Sequence, residues 1–469
     1  MSDNDFDFDL FVIGSGPAGQ RAAIQGAKLG KRVGMAEKKS VVGGVCINIG
    51  TIPSKTLREA VIYLSGYRMK EIYGASYAVK EHITMADLLY RVDFVIKHEI
   101  DVTRHQLLRN GVELYAAEAA IVDAHTLRLT MVGEHSSREV RVRNIVIATG
   151  AMATRSPEVP CDGNLIFTSD DILTLDHLPR TLTVVGGGVI GCEYACIFAA
   201  LGVRVTLIDQ RDRLLPFVDD EITDALSYHL RDQRATLRLG EAVSRIVPIS
   251  DEKGQRVQIF LDSGKQIVTD KALYSIGRTG ATKSLGLETV GLQADDRGRL
   301  TVNANYQTDV PNIYAVGDVI GFPSLASTSM EQGRVAACHA FGAPANSVPE
   351  LFPYGIFTIP EISTCGMNEE ELTEKGIPYE VGKAQYREIA RGQIIGDNTG
   401  LLKLIFHLET RKLLGIHIIG EGASELIHIG QTVMAYGGEI DYFVNAVFNY
   451  PTLAECYKTA AFDGINRLR

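Results

Sequence analysis

One pattern of apolar runs, glycines and polar ends occurs twice along this chain. Residues 7–13, Asp-Phe-Asp-Leu-Phe-Val-Ile, read as a strand leading into Gly14-Ser15-Gly16-Pro17-Ala18-Gly19. An alanine-rich stretch of helical character runs to Gly30, and a second strand, Arg32 to Ala36, ends in Glu37. Residues 181–185, Thr-Leu-Thr-Val-Val, lead into Gly186-Gly187-Gly188-Val189-Ile190-Gly191, a helical stretch to Gly202, and a strand ending in Asp209. Each copy predicts strand, glycine loop, helix, strand, acid, with 23 positions from the first glycine to the acid. The first glycine of such a loop allows a tight turn. The second lets a pyrophosphate approach the backbone, and the third lets helix pack on strand. The helix N-terminus favours the phosphates, and the acid takes a ribose hydroxyl. Two complete copies predict two dinucleotide sites.

The remaining pattern fills in the architecture. Helices are predicted over 55–73 and 84–110, the latter capped by Thr84. Val146-Ile147-Ala148-Thr149-Gly150 closes a strand at a crossover, and Asn312 to Asp318 is a strand ending in Gly317-Asp318. Residues 258–279 predict a hairpin turning at Asp262-Ser263-Gly264-Lys265, then a strand to Ser275 closed by Ile276-Gly277-Arg278. From Pro353 a third unit begins, with strands at Gly400–His407 and Leu413–Ile419, a turn at Glu409–Lys412, and an amphipathic helix from about Ser424.

Length agrees with this division: 469 residues predict about three domains. An apolar fraction of 45% and a charged fraction of 22% exclude a disordered or fibrous chain. A net charge of −10 gives no electrostatic reason to bind nucleic acid. Seven cysteines, an odd number, do not form a disulfide scaffold and point to a reducing, cytoplasmic setting. Met1 to Asp9 holds four aspartates and no basic residue, so no signal peptide is expected. No membrane span is expected either. His407, His417 and His428 lack ligand spacing, and no metal site is expected.

The second copy carries mixed signals after its acid. Asp209 favours a free ribose 2′-hydroxyl, whereas Arg211 and Arg213 in Gln210-Arg211-Asp212-Arg213 favour a 2′-phosphate. The expectation is a site that accepts both NAD and NADP.

Residues 43–55, Gly-Gly-Val-Cys-Ile-Asn-Ile-Gly-Thr-Ile-Pro-Ser-Lys, resemble the pyridine nucleotide–disulfide oxidoreductases, the family of dihydrolipoyl dehydrogenase and glutathione reductase. The resemblance spans essentially the whole chain. It implies an α/β fold with two Rossmann-like dinucleotide-binding domains, for FAD and NAD(P), plus a C-terminal α+β dimerisation domain. The FAD domain would comprise 1–150 and 279–350, the NAD(P) domain 151–278, and the dimerisation domain 351–469. Two departures matter. The family's second redox cysteine is Thr51 here, and its His-Pro-Thr-x-x-Glu reads Tyr450-Pro451-Thr452-Leu453-Ala454-Glu455. A threonine hydroxyl cannot form a disulfide. Tyrosine is a poor proton shuttle at neutral pH beside histidine. Both changes remove thiol exchange with a disulfide substrate, and they leave Cys46 as a packed thiol rather than a peroxide sensor.

The resemblance also implies site residues. For FAD, one per subunit, they are Gly14, Gly16, Gly19 and Glu37. The loop Lys38, Lys39, Ser40, Val41, Val42, Gly43, Gly44, Val45 and Cys46 joins them, with Thr51, Lys55, Thr149, Gly150, Gly317 and Asp318, the last at the ribityl chain. For the nicotinamide nucleotide they are Gly186, Gly188, Gly191, Asp209, Arg211, Arg213 and Gly277. Lys55 and Glu193 match a pair beside the flavin N5, and Tyr450 with Glu455 match a segment that reaches a partner subunit's flavin. The segments Phe448 to Thr452, Tyr314 to Gly321, Ile427 to Gln431 and Asn466 to Leu468 resemble the Si-specific transhydrogenase branch. That implies hydride transfer from NADPH to NAD+ through the flavin by a ping-pong route, in a cytoplasmic homodimer or higher oligomer. The alternatives are a diaphorase or NAD(P)H oxidase on the same sites, and a non-catalytic subunit of a multienzyme complex.

Overall fold

The computed structural model describes residues 5–74, 76–134, 136–252, 254–345 and 351–468. The expected chain start at 1–4, the boundary at 350 and the last residue, 469, lie outside them. The chain divides into two compact units.

The first unit holds residues 1–57, 89–154 and 277–349. Its strands Glu113–Asp123, Val33–Glu37, Phe8–Ile13, Ser137–Ile147 and Ile313–Ala315 pair side by side and in parallel. Thr126–Met131 joins Glu113–Asp123 to Ser137–Ile147 as an antiparallel meander. Strand residues alternate faces. Phe11, Ile13, Ile145 and Ile147 pack on the meander side, while Leu10, Val12, Val33 and Val146 pack under Pro17–Lys28 and Ala326–Ala340. Those two helices touch through Gly333, where any Cβ would meet the Ala18 carbonyl oxygen. The register sets Ile13 opposite Ala36 and Ile147, and Ile147 opposite Ala315. Gly14, Glu37, Thr149 and Asp318 therefore all fall at the carboxyl ends of parallel strands, where ligands of open α/β sheets bind.

The second unit holds residues 58–88, 155–276 and 350–469. It repeats the plan: Thr236–Leu239, Arg204–Asp209, Thr181–Val185, Lys271–Tyr274 and Ile166–Phe167 form a parallel sheet. Val243–Asp251, Gly254–Leu261 and Gln266–Thr269 form the accompanying meander. A further antiparallel sheet orders Tyr354–Ile356, Ile362–Gly366, Leu413–Ile419, Leu401–His407 and Tyr379–Gln385. The helices Ala423–Ala435 and Glu455–Asn466 share its core. Within this unit, buried Lys403 ties the last sheet to the start of helix Asp220–Asp232 through Asp219, at 2.8 and 2.9 Å, and also binds Glu369. Burial alone would push the Lys403 ammonium down, but hydrogen bonds to Asp219 and Glu369 outweigh it and hold its pKa above the ordinary value.

The fold is α/β, with two Rossmann-like sheets and a C-terminal α+β part. One predicted element differs. The helix expected over 55–73 is two, Thr51–Leu64 and Tyr67–Tyr73, broken at Gly66 with φ of 66°. That left-handed turn is inexpensive only for glycine. Thr84 does cap Met85–Arg109: the Asp87 carboxylate accepts from the Thr84 N–H, and the Thr84 hydroxyl accepts from the Asp87 N–H. Among the described residues no helix is long and apolar enough to cross a membrane.

Candidate functional site: two copies of one dinucleotide cradle

The two glycine loops have the same internal construction. Gly14 and Gly186 turn with φ of 105° and 110°, and their N–H groups donate to Ala36 and Ile208 carbonyls, each at 2.8 Å. A Cβ on Gly19 would strike the Gly14 carbonyl oxygen, and one on Gly191 the Gly186 carbonyl oxygen. Each third glycine is thus required by the loop's own backbone. A Cβ on Gly16 or Gly188 would meet nothing within 4 Å, so these glycines border open space. They are the N-caps of two 12-residue helices, Pro17–Lys28 and Val189–Ala200, and neither cap has a side-chain hydrogen bond. Uncapped N–H groups at a helix start form an anion site.

The acids are held alike. Glu37 accepts from the Ser15 N–H at 3.1 Å and the Lys39 N–H at 3.0 Å; Asp209 accepts from the Gly187 N–H and the Arg211 N–H, the latter at 2.8 Å. They differ in what else they carry. Ser15 donates its hydroxyl to Glu37 at 2.6 Å, while Arg211 sets Nε and Nη2 on the two oxygens of Asp209 at 2.8 and 2.6 Å. Burial would raise the Asp209 pKa, but the Arg211 side chain and the two backbone N–H groups together bring it below the usual carboxylate value. Arg213 turns the other way, donating to the Pro216 carbonyl at 2.7 Å and pairing with Asp220.

Around the first cradle the unit assembles a polar rim. The Gly43 N–H donates to Ser15 Oγ at 2.9 Å, and a Cβ on Gly44 would come within 2.8 Å of the Gly16 Cα. Val42 is buried, Lys38, Lys39 and Ser40 are exposed, and Val41 and Val45 are intermediate. Thr149 lies against Gly14, and its hydroxyl oxygen is buried with no hydrogen-bond partner among the described residues. Gly150, with φ of 69°, turns the chain there. Gly317 is pinned by a 2.8 Å bond from its N–H to Gln332, setting the partly buried Asp318 at the same sheet edge. Burial pushes the Asp318 carboxyl up, opposed by Arg278. Gly277, with φ of 139°, precedes the short strand Arg278–Gly280 that pairs with Ala151–Ala153. An orphaned buried hydroxyl, an acid with spare acceptor capacity at Glu37, and open space at Gly16 fit a dinucleotide with a polar chain.

Cys46 sits on the short helix Gly44–Asn48, and Thr51 begins the helix that carries Lys55. Burial raises the Cys46 thiol, partly offset by a hydrogen bond with the Thr51 side chain. All seven cysteines are free thiols. In the second unit Glu193 is buried and accepts the Phe357 N–H at 2.9 Å. Tyr450 is 74% exposed, and Glu455, at the start of its helix, has a buried Oε2 with no hydrogen-bond partner among the described residues. His417 is buried and bonded to Thr364 Oγ1 and the Met367 carbonyl, and among the described residues no cluster is placed to hold a metal.

Two residues carry more of the site than the sequence reading gave them. Ser15 is fully buried and links Glu37 to Gly43, and Gln332 fixes Gly317. A small hydroxyl inside Gly-x-Gly was the available signal for Ser15. For Gln332 no local pattern exists, because its partner lies 15 residues away on another element.

Comparison with known proteins agrees with this construction. The family described as pyridine nucleotide-disulphide oxidoreductase matches residues 8–333, and its dimerisation domain matches 352–461. A soluble pyridine nucleotide transhydrogenase of Mycobacterium tuberculosis is 52% identical over 463 residues, covering 99% of this chain and 98% of that protein. One from Pectobacterium atrosepticum is 46% identical over 470 residues, covering 99% of each. Among solved structures, the HOCl-induced flavoprotein disulfide reductase RclA of Escherichia coli is similar at TM-score 0.86 and 29% identity, covering 97% of this chain and 99% of that one. LpdA of Mycobacterium tuberculosis is similar at TM-score 0.88 and 26% identity, covering 98% and 99%. With both cradles, the meanders and the C-terminal sheet accounted for, the chain belongs to the pyridine nucleotide-disulphide oxidoreductase family.

Proposed function

We propose that this protein is an FAD-dependent transhydrogenase that moves hydride from NADPH to NAD+ in the cytoplasm, as a homodimer or a larger homo-oligomer. Gly14, Gly16 and Gly19 hold the FAD pyrophosphate and Glu37 its adenosine ribose, with the loop from Lys38 to Cys46 and Thr51 along the cofactor. Thr149, Gly150, Gly317 and Asp318 hold its polar chain. Gly186, Gly188, Gly191 and Asp209 hold the nicotinamide nucleotide, with Gly277 at the closing turn. The flavin held there would supply hydride-transfer chemistry between one nicotinamide nucleotide and another.

The observation that carries the reading is Thr51 in the place where a disulfide exchanger needs a second sulfur to pair with Cys46, whose thiol is free. The transhydrogenase names of the full-length relatives support the same conclusion. Lys55, on the helix that Thr51 begins, would supply positive charge that favours negative charge on the ring. Glu193, on helix Val189–Ala200, accepts the Phe357 N–H. Tyr450 stands where a disulfide exchanger needs a proton shuttle. Hydride exchange between two nicotinamides delivers no proton to a substrate, so a tyrosine serves there, with Glu455 behind it.

Anaerobic mixing with NADPH and thio-NAD+ tests the reading. Sustained formation of thio-NADH without oxygen is expected. Turnover only when oxygen or a quinone is admitted would assign an oxidase or diaphorase instead, and no turnover under any condition would leave a binding subunit.

A further inference from the structure

We propose that Arg211 is a latch on the nucleotide site, its guanidinium on Asp209 giving way to the incoming nucleotide, and that its release lets one site alternate between NADP(H) and NAD(H). The inference rests on the transhydrogenase reading and adds how one pocket serves both nucleotides.

A carboxylate offers about four acceptor positions. Asp209 has all of them filled: Oδ2 takes the Gly187 N–H and Arg211 Nη2, and Oδ1 takes the Arg211 N–H and Nε. A ribose diol therefore finds no vacancy until the guanidinium leaves. The first cradle is the internal control. Glu37 takes three hydrogen bonds, two from Ser15 and one from the Lys39 N–H, and keeps a position for a ribose hydroxyl. The matching residue after that acid is Lys39, whose side chain is exposed. The latch is thus peculiar to the copy that must exchange its ligand during turnover.

The Arg211 side chain is 41% exposed and attached to a loop held by its own backbone, with the Gly240 N–H on the Arg211 carbonyl at 2.8 Å. The guanidinium can swing without unfolding that loop. An incoming 2′-phosphate draws the guanidinium toward itself, and a guanidinium placed between the phosphate and Asp209 offsets the repulsion of the two negative groups. An incoming 2′-hydroxyl displaces Arg211 to solvent and takes the freed Asp209 oxygens. Both ligands pay the same opening cost, so neither is bound so tightly that it blocks the other half of the cycle. Arg213 is turned toward Asp220 and the Pro216 carbonyl, so the contact with Asp209 is made by Arg211.

The experiment measures NAD+ and NADP+ binding to the FAD-loaded protein by calorimetry, for wild type, Arg211→Ala, Arg211→Lys and Asp209→Asn. Arg211→Ala should weaken NADP+ roughly tenfold, the scale of a charge-assisted hydrogen bond. The same variant should tighten NAD+ about threefold, because Asp209 no longer has to be unlatched. Arg211→Lys loses the two-point grip, so it should also tighten NAD+ while keeping part of the NADP+ affinity. Asp209→Asn should weaken NAD+ and tighten NADP+. A fall in NADP+ affinity with NAD+ unchanged in Arg211→Ala would make Arg211 a fixed phosphate ligand and overturn the latch, as would a loss of both. Because oxidised nucleotides are used, the result does not depend on hydride transfer. A protein that binds both but never transhydrogenates refutes the proposed function and leaves the latch standing.

Discussion

Substituting the second and third glycines of the nucleotide loop should separate fold from ligand. In Gly191→Ala the new Cβ overlaps the Gly186 carbonyl oxygen, which is backbone and cannot rotate away. Overpacking of this kind costs roughly 1–3 kcal/mol. Replacing a glycine inside helix Val189–Ala200 by alanine returns about 0.5–1 kcal/mol. From the middle of each range the net loss is about 1 kcal/mol, and at about 2–4 °C per kcal/mol for a unit of this size the melting temperature should fall by about 2–5 °C. In Gly188→Ala the Cβ meets nothing within 4 Å, and φ is −80°, open to any residue. Its stability should stay within about 0.5 kcal/mol of wild type. Its KM for NADPH should rise roughly tenfold or more, because the methyl occupies the approach of the pyrophosphate. Thermal melts of the FAD-loaded protein and initial rates decide the matter. A Gly188→Ala melt lowered as far as that of Gly191→Ala, or an unchanged Gly191→Ala melt, would refute the reasoning.

Other consequences are equally direct. Gly16→Ala, the same change in the first cradle, should give a folded protein that purifies with little FAD, read from its visible absorbance. Arg58 is buried, with Nε on the Thr358 carbonyl at 2.9 Å and Nη1 3.3 Å from Glu361. Arg58→Met leaves the Glu361 charge unpaired and should cost about 3–5 kcal/mol, seen as a lower urea midpoint. The Asp209 pKa is depressed in the folded protein, so its contribution is present above the unfolded value near 3.9 and is lost as pH falls through the folded value. Melts between about pH 5 and pH 2 should therefore drop less steeply for Asp209→Asn than for wild type. Thr51→Cys places a second sulfur beside Cys46, so anaerobic NADPH titration should consume a further reducing equivalent pair per flavin; an unchanged stoichiometry would count against the placement of Cys46 and Thr51.

What the sequence made legible was whatever the backbone demands of particular residues. Gly14, Gly19, Gly186 and Gly191 are required by turns and close approaches, and each acid must stand at the end of the next strand, so spacing alone exposed both cradles. The hairpin at 262–265 and the paired strands Leu401–His407 and Leu413–Ile419 were legible for the same reason, since their turns and alternation are local, whereas Tyr354–Ile356, Ile362–Gly366 and Tyr379–Gln385 in the same sheet were not. The break at Gly66 was not, because the apolar rhythm continues across it and a glycine inside a helix is tolerated. The orientation of long side chains was not legible either. Arg211 and Arg213 stand two residues apart, yet one closes on Asp209 and the other on Asp220. Ser15 and Gln332 act through partners distant in sequence, which a local pattern cannot register.

The central claim is that one nucleotide site serves both halves of a hydride exchange with no thiol between them. The most direct measurement is a divided single turnover. The FAD-loaded protein is reduced anaerobically with one equivalent of NADPH, freed of nucleotide by gel filtration, and then mixed with NAD+. The account predicts one NADH formed per flavin, with the oxidised flavin spectrum restored and no change in thiol count. Formation of NADH only when NADPH and NAD+ are present together, or a flavin that stays reduced on adding NAD+, would contradict it.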